Sequence, residues 1–322
     1  MEGILDTSQI RNRAAEIDLF SLSTVQMRTF HITWFAFFLA FFGWFGIAPL
    51  MAVVRDDLEL TKTQVGNTII ASVAVTFVAR LVIGWLCDRI GPRRAYTWLL
   101  ILGSFPVMGI GLAQNYETFM LFRLAIGVIG ASFVITQHHT SVMFAPSVVG
   151  TANATTAGWG NLGGGVTQML MPLVLTLVLF FGVNETLGWR LAMIIPGAAL
   201  FVMGFVYYRF TQDTPDGDFK DLRASGALPP ASATKGSFWV AARDYRVWAL
   251  FVIYGACFGI ELTLNNVAAL YYHDQFELSI GMAGLIPGLF GLMNLFARSL
   301  GGIFADRTGA AFGLRGRVYF LG

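Results

Sequence analysis

The sequence predicts an all-α integral membrane fold, and three observations carry that prediction. Of the 322 residues, 56% are hydrophobic and 12% charged, where a soluble domain carries about 25% charged residues. The apolar residues gather in stretches long enough to cross a bilayer, which takes about 20 residues of helix. One pattern of arginine, glycine and aspartate recurs after a fixed interval, so the helices are organised as repeats.

On the length criterion the crossing stretches are 31–53, 65–87, 95–113, 118–142, 152–182, 189–210, 246–272 and 281–305. The fifth is the longest, which implies tilt or a helical extension beyond the hydrocarbon. Residues 1–29 are polar and of mixed charge, without a cleavable signal pattern, so the first crossing stretch is expected to direct insertion. The remaining turns are short except for 211–245, a polar segment with Pro215, Pro229 and Pro230. The expected organisation is a tail at 1–29, a six-helix bundle at 30–210, a linker at 211–245 and a partial second bundle at 246–322. The closing residues Arg317 to Gly322 read as the opening of a ninth span, so the chain is expected to be incomplete at its C-terminus.

Short-loop lysines and arginines set orientation. Arg11, Arg13, Arg28, Arg89, Arg93, Arg94, Arg209, Lys220, Arg223, Lys235, Arg243, Arg246, Arg307, Arg315 and Arg317 fall on one side if every stretch crosses once. Only Arg55, Lys62 and Arg190 fall on the other. The N-terminus, the linker and the C-terminal end are therefore expected in the cytoplasm of a multi-pass cell-membrane protein, whether that is a plasma membrane or a bacterial inner membrane.

The repeat has the form Arg80-x-x-x-Gly84-x-x-x-Asp88-Arg89-x-Gly91, and it returns as Arg298-x-x-x-Gly302-x-x-x-Asp306-Arg307-x-Gly309 with every position shifted by 218. The copies lie on the second and eighth spans, an even number apart, so they share one orientation. Parallel repeats about an axis along the membrane normal are a transporter architecture.

Residues 158–172 pack five glycines, Gly158, Gly160, Gly163, Gly164 and Gly165, into their first eight positions. Interior glycine costs a helix roughly 1 kcal/mol against alanine, but in a bilayer the segment has to be helical. Glycine then lets a neighbouring helix or a solute approach the backbone. Asn161 and Gln168, seven apart, share a helix face, and the reading is a pore-facing glycine surface. Gly158-x-Gly160-x-x-Gly163 also matches the dinucleotide fingerprint. That motif works only between a strand and a helix N-terminus; here the upstream residues, Gly150 to Ala157, are small and polar and the downstream ones are lipid-like, so an enzyme is not expected.

Three arginines lie inside spans: Arg80, Arg123 and Arg298. Arg80 precedes Asp88 by eight residues, about 12 Å of helix, which puts it near the midplane; the repeat puts Arg298 there too. Intramembrane charge is a functional hypothesis by default, and the expected role of both is anion binding. Arg123, early in the fourth span, is expected to be structural or to gate near the membrane edge. Guanidinium suits a planar, weakly hydrated anion because its donors form a fork. Tyr254 and Phe258, four apart, stack on one helix face. His138 and His139 are adjacent, which is not metal-ligand spacing, and are expected to line or pack. Cys87 and Cys257 sit in or beside apolar segments, so no disulfide framework, metal or cofactor is expected. A net charge of +2 implies no nucleic-acid partner.

The Gly-x-x-x-Asp-Arg-x-Gly pattern after spans two and eight, followed by Pro92-Arg93-Arg94, resembles the major facilitator superfamily, whose fold has twelve helices; about eight are present here. Ala157 to Gly165 resembles the first signature of the nitrate/nitrite porter family, and Gly291 to Gly302 resembles the second. Cys257 to Asn266 is similar to its high-affinity uptake members. The resemblance implies that Arg80 and Arg298 bind the anion, with Phe133, Tyr254, Phe258 and Asn161 completing the site. It implies a monomeric secondary transporter for nitrate or nitrite in the lipid bilayer, working by alternating access and taking up the anion together with protons. A nitrate/nitrite exchanger or an organic-anion exchanger of the same fold is the alternative, and a non-transporting receptor belongs to a different class. Glu261, three residues after Phe258, is the expected proton-coupling group; the competing reading is an ion pair with an arginine.

Overall fold

The structure, a computed structural model, describes residues 10–228 and 237–321. Among them eight helical spans are long and apolar enough to cross a membrane: α1 (Val25–Asp57), α2 (Lys62–Ile90), α3 (Pro92–Leu112), α4 (Tyr116–Met143), α5 (Val149–Phe180), α6 (Glu185–Phe210), α7 (Tyr245–Phe276) and α8 (Ile280–Val318). Most run past the apolar stretches read from sequence, because polar residues begin them. Thr61 accepts from the Gln64 amide while Gln64 reaches back to the Thr61 amide, and Asn115 and Thr118 do the same for α4. Each box satisfies amides that have no partner within the helix. Ile70, Phe77, Trp85, Leu102 and Leu173 are exposed, an apolar exposure that suits lipid or further helices rather than water.

α1 is the buried centre. Phe37, Phe41, Trp44 and Phe45 are all within 1% of full burial. The glycines of α5 explain how the neighbouring helices come so close. A side chain at Gly160 would overlap the Phe37 ring, and one at Gly163 would overlap the Phe38 carbonyl, both on α1. A side chain at Gly158 would meet the Asn294 carbonyl, and one at Gly165 would meet the Gly291 backbone, both on α8. Gly164 faces Phe45 and Asn265. The expected pore-facing surface is therefore a pair of helix-packing surfaces. Gly160 and Gly163, three apart, share the face toward α1, and Gly158 and Gly165, seven apart, share the face toward α8, so α5 is clamped between the two.

Two local breaks prepare the site. α4 tightens to a 3-10 turn at Val128–Ala131, and the Gly127 carbonyl there accepts from the Thr76 hydroxyl of α2 at 2.7 Å. α8 has a 3-10 turn at Met293–Leu295. Such turns reorient the side chains that follow, here Phe133 and Arg298. Near its end α8 breaks at Gly313, with φ 64°, a conformation that favours glycine. The helix resumes to Leu321 and turns back, so that Arg317 lies against Gly309.

Residues 211–245 are more structured than a linker implies. Phe219–Ala224 and Ser237–Ala242 are helical, while 229–236 lie outside the described residues. Asp213 is 2% exposed. Its carboxylate accepts from the Arg93 amide at 2.9 Å and the Phe219 amide at 3.0 Å, capping the start of α3. Gly91, with φ 86°, has no room for a side chain because Asp213 occupies the space. Burial pushes the Asp213 carboxyl up to about 6 against the two amide bonds. Because the folded value lies above the free value, ionised Asp213 weakens the anchor. The penalty is absent below about pH 4 and complete above about pH 6, on the order of 3 kcal/mol. Amide exchange in 211–224 is expected to slow between pH 7.5 and pH 5, after correction for intrinsic rates. Faster corrected exchange at pH 5 would contradict this.

Candidate anion site

The site is built from α2, α4, α5, α7 and α8 at mid-span. Phe258 stands at its centre, 5% exposed. The Arg80 guanidinium lies 5.6 Å from its ring centroid and that of Arg298 lies 6.0 Å from it. Phe133 stacks near-parallel on Tyr254 at 5.7 Å and on Phe258 at 6.3 Å. Tyr254 and Phe258 stack at 5.2 Å, and Arg80 also sits 5.7 Å from the Phe133 ring. Two guanidinium groups and three near-parallel rings thus converge. Such a setting suits a flat, weakly hydrated anion: cationic forks grip it and aromatic faces exclude water.

The two arginines are not equivalent. Arg298 forms an ion pair with Glu261 and donates from Nε to the Asn294 side chain at 3.0 Å. Glu261 also accepts from Asn161 at 3.2 Å and from Asn294 at 3.1 Å. Arg80 has no ion-pair partner among the described residues, and its Nε is buried without a hydrogen-bond acceptor. Asn161 therefore reaches the site through Glu261. Counting formal charges, two arginines and one carboxylate leave a single positive charge, which one monovalent anion neutralises.

The repeated loop motif sits at the face that carries the N-terminus. Asp306 accepts from the Thr151 amide at 2.6 Å, from its hydroxyl at 2.8 Å and from Arg317 at 3.0 Å, tying α8 to the start of α5. Gly302 permits that approach, since a side chain there would overlap Ala154. In the first copy Gly84 lies near Val134, Arg89 covers the Trp85 ring at 4.5 Å, and the Asp88 and Arg89 carbonyls accept from Arg223. Arg307 is exposed. At the opposite face Arg55 pairs with Asp274 at 2.6 Å, so α7 and α8 are fastened to the first six spans above and below the site.

Several contributors were not singled out from sequence. Asn294 lies four residues before Arg298, and that spacing alone could have found it. Asn265 and Asn266 fall inside the α7 signature, yet their contacts needed the structure: Gln168 donates to the Asn265 carbonyl at 2.6 Å. Arg123, placed near the membrane edge by sequence, is 1% exposed and donates to Asn266 at 3.3 Å. His139 bridges the Tyr207 hydroxyl at 2.6 Å and the Gln212 carbonyl at 2.7 Å, and His138 meets the Phe219 ring. Among the described residues no cluster of three His, Cys, Asp or Glu could hold a metal, and both cysteines are free. The glycine fingerprint lies inside the continuous helix Val149–Phe180, not at the strand-to-helix turn that nucleotide binding needs.

Comparison with known proteins identifies the family. The Major Facilitator Superfamily pattern matches residues 33–322. The chain is 41% identical over 308 residues to the high affinity nitrate transporter 2.5 of Arabidopsis thaliana, covering 96% of this chain and 61% of that protein. It is 38% identical to the nitrate transporter 2.1 of Chlamydomonas reinhardtii, covering 92% of this chain and 54% of that protein. It is 28% identical to the nitrate/nitrite transporter NrtP of Nostoc punctiforme, with 91% and 71% covered. The chain thus spans less than two thirds of the length of the first two relatives. Among solved structures, the proton:xylose symporter XylE superposes with a TM-score of 0.63 at 13% identity, covering 89% of this chain and 70% of that one.

Proposed function

The chain belongs to the major facilitator superfamily, in its nitrate/nitrite porter family, and from that premise we propose that the transporter carrying it moves nitrate or nitrite across a cell membrane by alternating access. The observation that carries the reading is the convergence of Arg80 and Arg298, from α2 and α8, on the Phe258 ring. Binding an anion between them joins the two halves, and opening one face requires release of Asp306 from Thr151 or of Arg55 from Asp274. Labelled-nitrate uptake by the intact transporter, with nitrite, chloride and organic anions as competitors, tests substrate class and transport together. Uptake blocked equally by organic phosphates or carboxylates would sink the nitrate reading. The positive-inside pattern supports a cytoplasmic N-terminus.

Uptake is proposed to be coupled to protons through Glu261. An inside-negative potential opposes anion entry by about 2.3 kcal/mol per charge per 100 mV, so net uptake needs a driving ion. Arg298 is shared between two claims, the Glu261 carboxylate and the incoming anion. An anion that draws the guanidinium away leaves Glu261 with only the two asparagine donors, and a proton taken up at the carboxylate would restore the charge balance that the ion pair had supplied. The anion and the proton then bind together. One carboxyl accounts for one proton, and electrogenic inward symport requires at least two. The Glu261–Arg298 pair also supports the alternative of anion exchange, since the site with Glu261 ionised is already neutralised by one nitrate. Glu261→Gln separates the two. Under symport it loses pH-gradient-driven uphill uptake in vesicles, by roughly 10-fold or more, while retaining nitrate exchange. Unchanged uphill uptake and pH dependence would remove Glu261 from the coupling step.

A further inference from the structure

We propose that Arg123 is a second anion-binding site, separate from the Arg80–Arg298 pair and displaced toward the opposite membrane face from the N-terminus, that holds a monovalent, weakly hydrated anion such as nitrate. Arg123 is 1% exposed. Its one hydrogen bond among the described residues runs from Nη2 to the Asn266 side-chain oxygen at 3.3 Å, and Nε and Nη1 are buried with no acceptor. It has no carboxylate partner among the described residues, and Glu261, the acid that α7 offers nearest in sequence to Asn266, is committed to Arg298. A buried, unpaired guanidinium is costly, and the unspent donors are those that grip an anion at other arginine sites.

Two helices place the site independently. Along α7, Asn266 lies eight residues beyond Phe258, about 12 Å of rise. Along α4, which runs the other way, Arg123 lies ten residues before Phe133, about 15 Å. Both put Arg123 well outside the central pair, beyond contact range of an ion bound there. Arg123 comes from the first six spans and Asn266 from α7, so an occupant bridges the same two groups of helices as the central ion does. The ligand class follows from charge. One uncompensated guanidinium is neutralised by a monovalent anion, whereas a divalent one would bury a net negative charge. Nitrate on its way to or from the central pair meets the requirement. That identity rests on the transport reading; the binding site itself rests on the orphaned donors.

The test is the thermal stability of the purified intact transporter in sodium nitrate against sodium gluconate at constant ionic strength. A ligand that binds only the folded state raises stability by mass action. Arg80→Gln removes the unneutralised charge at the centre and is expected to leave a smaller, nitrate-specific shift. Adding Asn266→Asp supplies Arg123 with an internal carboxylate. That double variant keeps the guanidinium paired, so it is expected to fold and to lose the residual shift. Arg123→Gln in the same background should behave alike where it folds. If Arg80→Gln abolishes the whole nitrate shift, there is one site and this inference fails while the transport reading stands. If the residual shift survives Asn266→Asp, the second ion binds elsewhere and the inference also fails. No nitrate shift in the wild type overturns both readings.

Discussion

Arg80→Lys and Arg298→Lys are each expected to cut nitrate uptake roughly 10- to 100-fold while leaving the protein folded, because what is lost is a charge-assisted fork worth about 1.5–3 kcal/mol. Lysine keeps the charge, but it is a compact, strongly hydrated point with no planar donor pair. The two variants should differ in kind. Arg80 makes no ion pair among the described residues, so its loss falls on the substrate, as a raised KM or a lost Vmax. Arg298 also holds Glu261 and Asn294, so Arg298→Lys should alter the pH dependence of uptake as well. The check is initial-rate uptake across nitrate concentrations and pH, normalised to folded protein. Wild-type kinetics in either lysine variant would refute a role for the planar fork.

Bulk on the two sides of α5 is expected to produce two different failures. Gly163→Val drives a side chain into the Phe38 carbonyl of α1, within the first six spans. Main chain cannot rotate aside as a side chain does, so the overlap costs at least about 1–3 kcal/mol of overpacking, and the expected result is loss of folded, membrane-inserted protein. Gly165→Val instead meets the Gly291 backbone of α8, across the contact that joins the two groups of helices. There the first six spans still pack, and the helices are held apart where closure needs them together. The expected result is normal abundance with uptake nearly abolished. Size-exclusion profiles and uptake on the same preparations check both. A folded, active Gly163→Val or an active Gly165→Val would show that the backbones separate more easily than the contacts imply.

The sequence determined the class of this protein by itself. The charge deficit, the apolar stretches, the repeat that carries Arg80 and Arg298, and the stacking of Tyr254 with Phe258 were all legible, because each is read along the chain without knowing how the helices pack. Composition decides whether a segment enters lipid, and a spacing of four decides that two residues share a face. The tertiary structure decided what each face meets. The spacing of the α5 glycines says that something comes close. That the something is α1 on one side and α8 on the other depends on how every helix is rotated about its axis. The burial of Asp213 against Gly91 joins segments 122 residues apart, and nothing local marks it in a polar segment rich in proline. Likewise, sequence left Glu261 between a free carboxyl and an ion pair, and placed Arg123 near the membrane edge. Whether a buried charge has a partner is set by side chains from other helices, so Glu261 proved to be shared by Asn161, Asn294 and Arg298. Arg123 proved to have only Asn266 among the described residues.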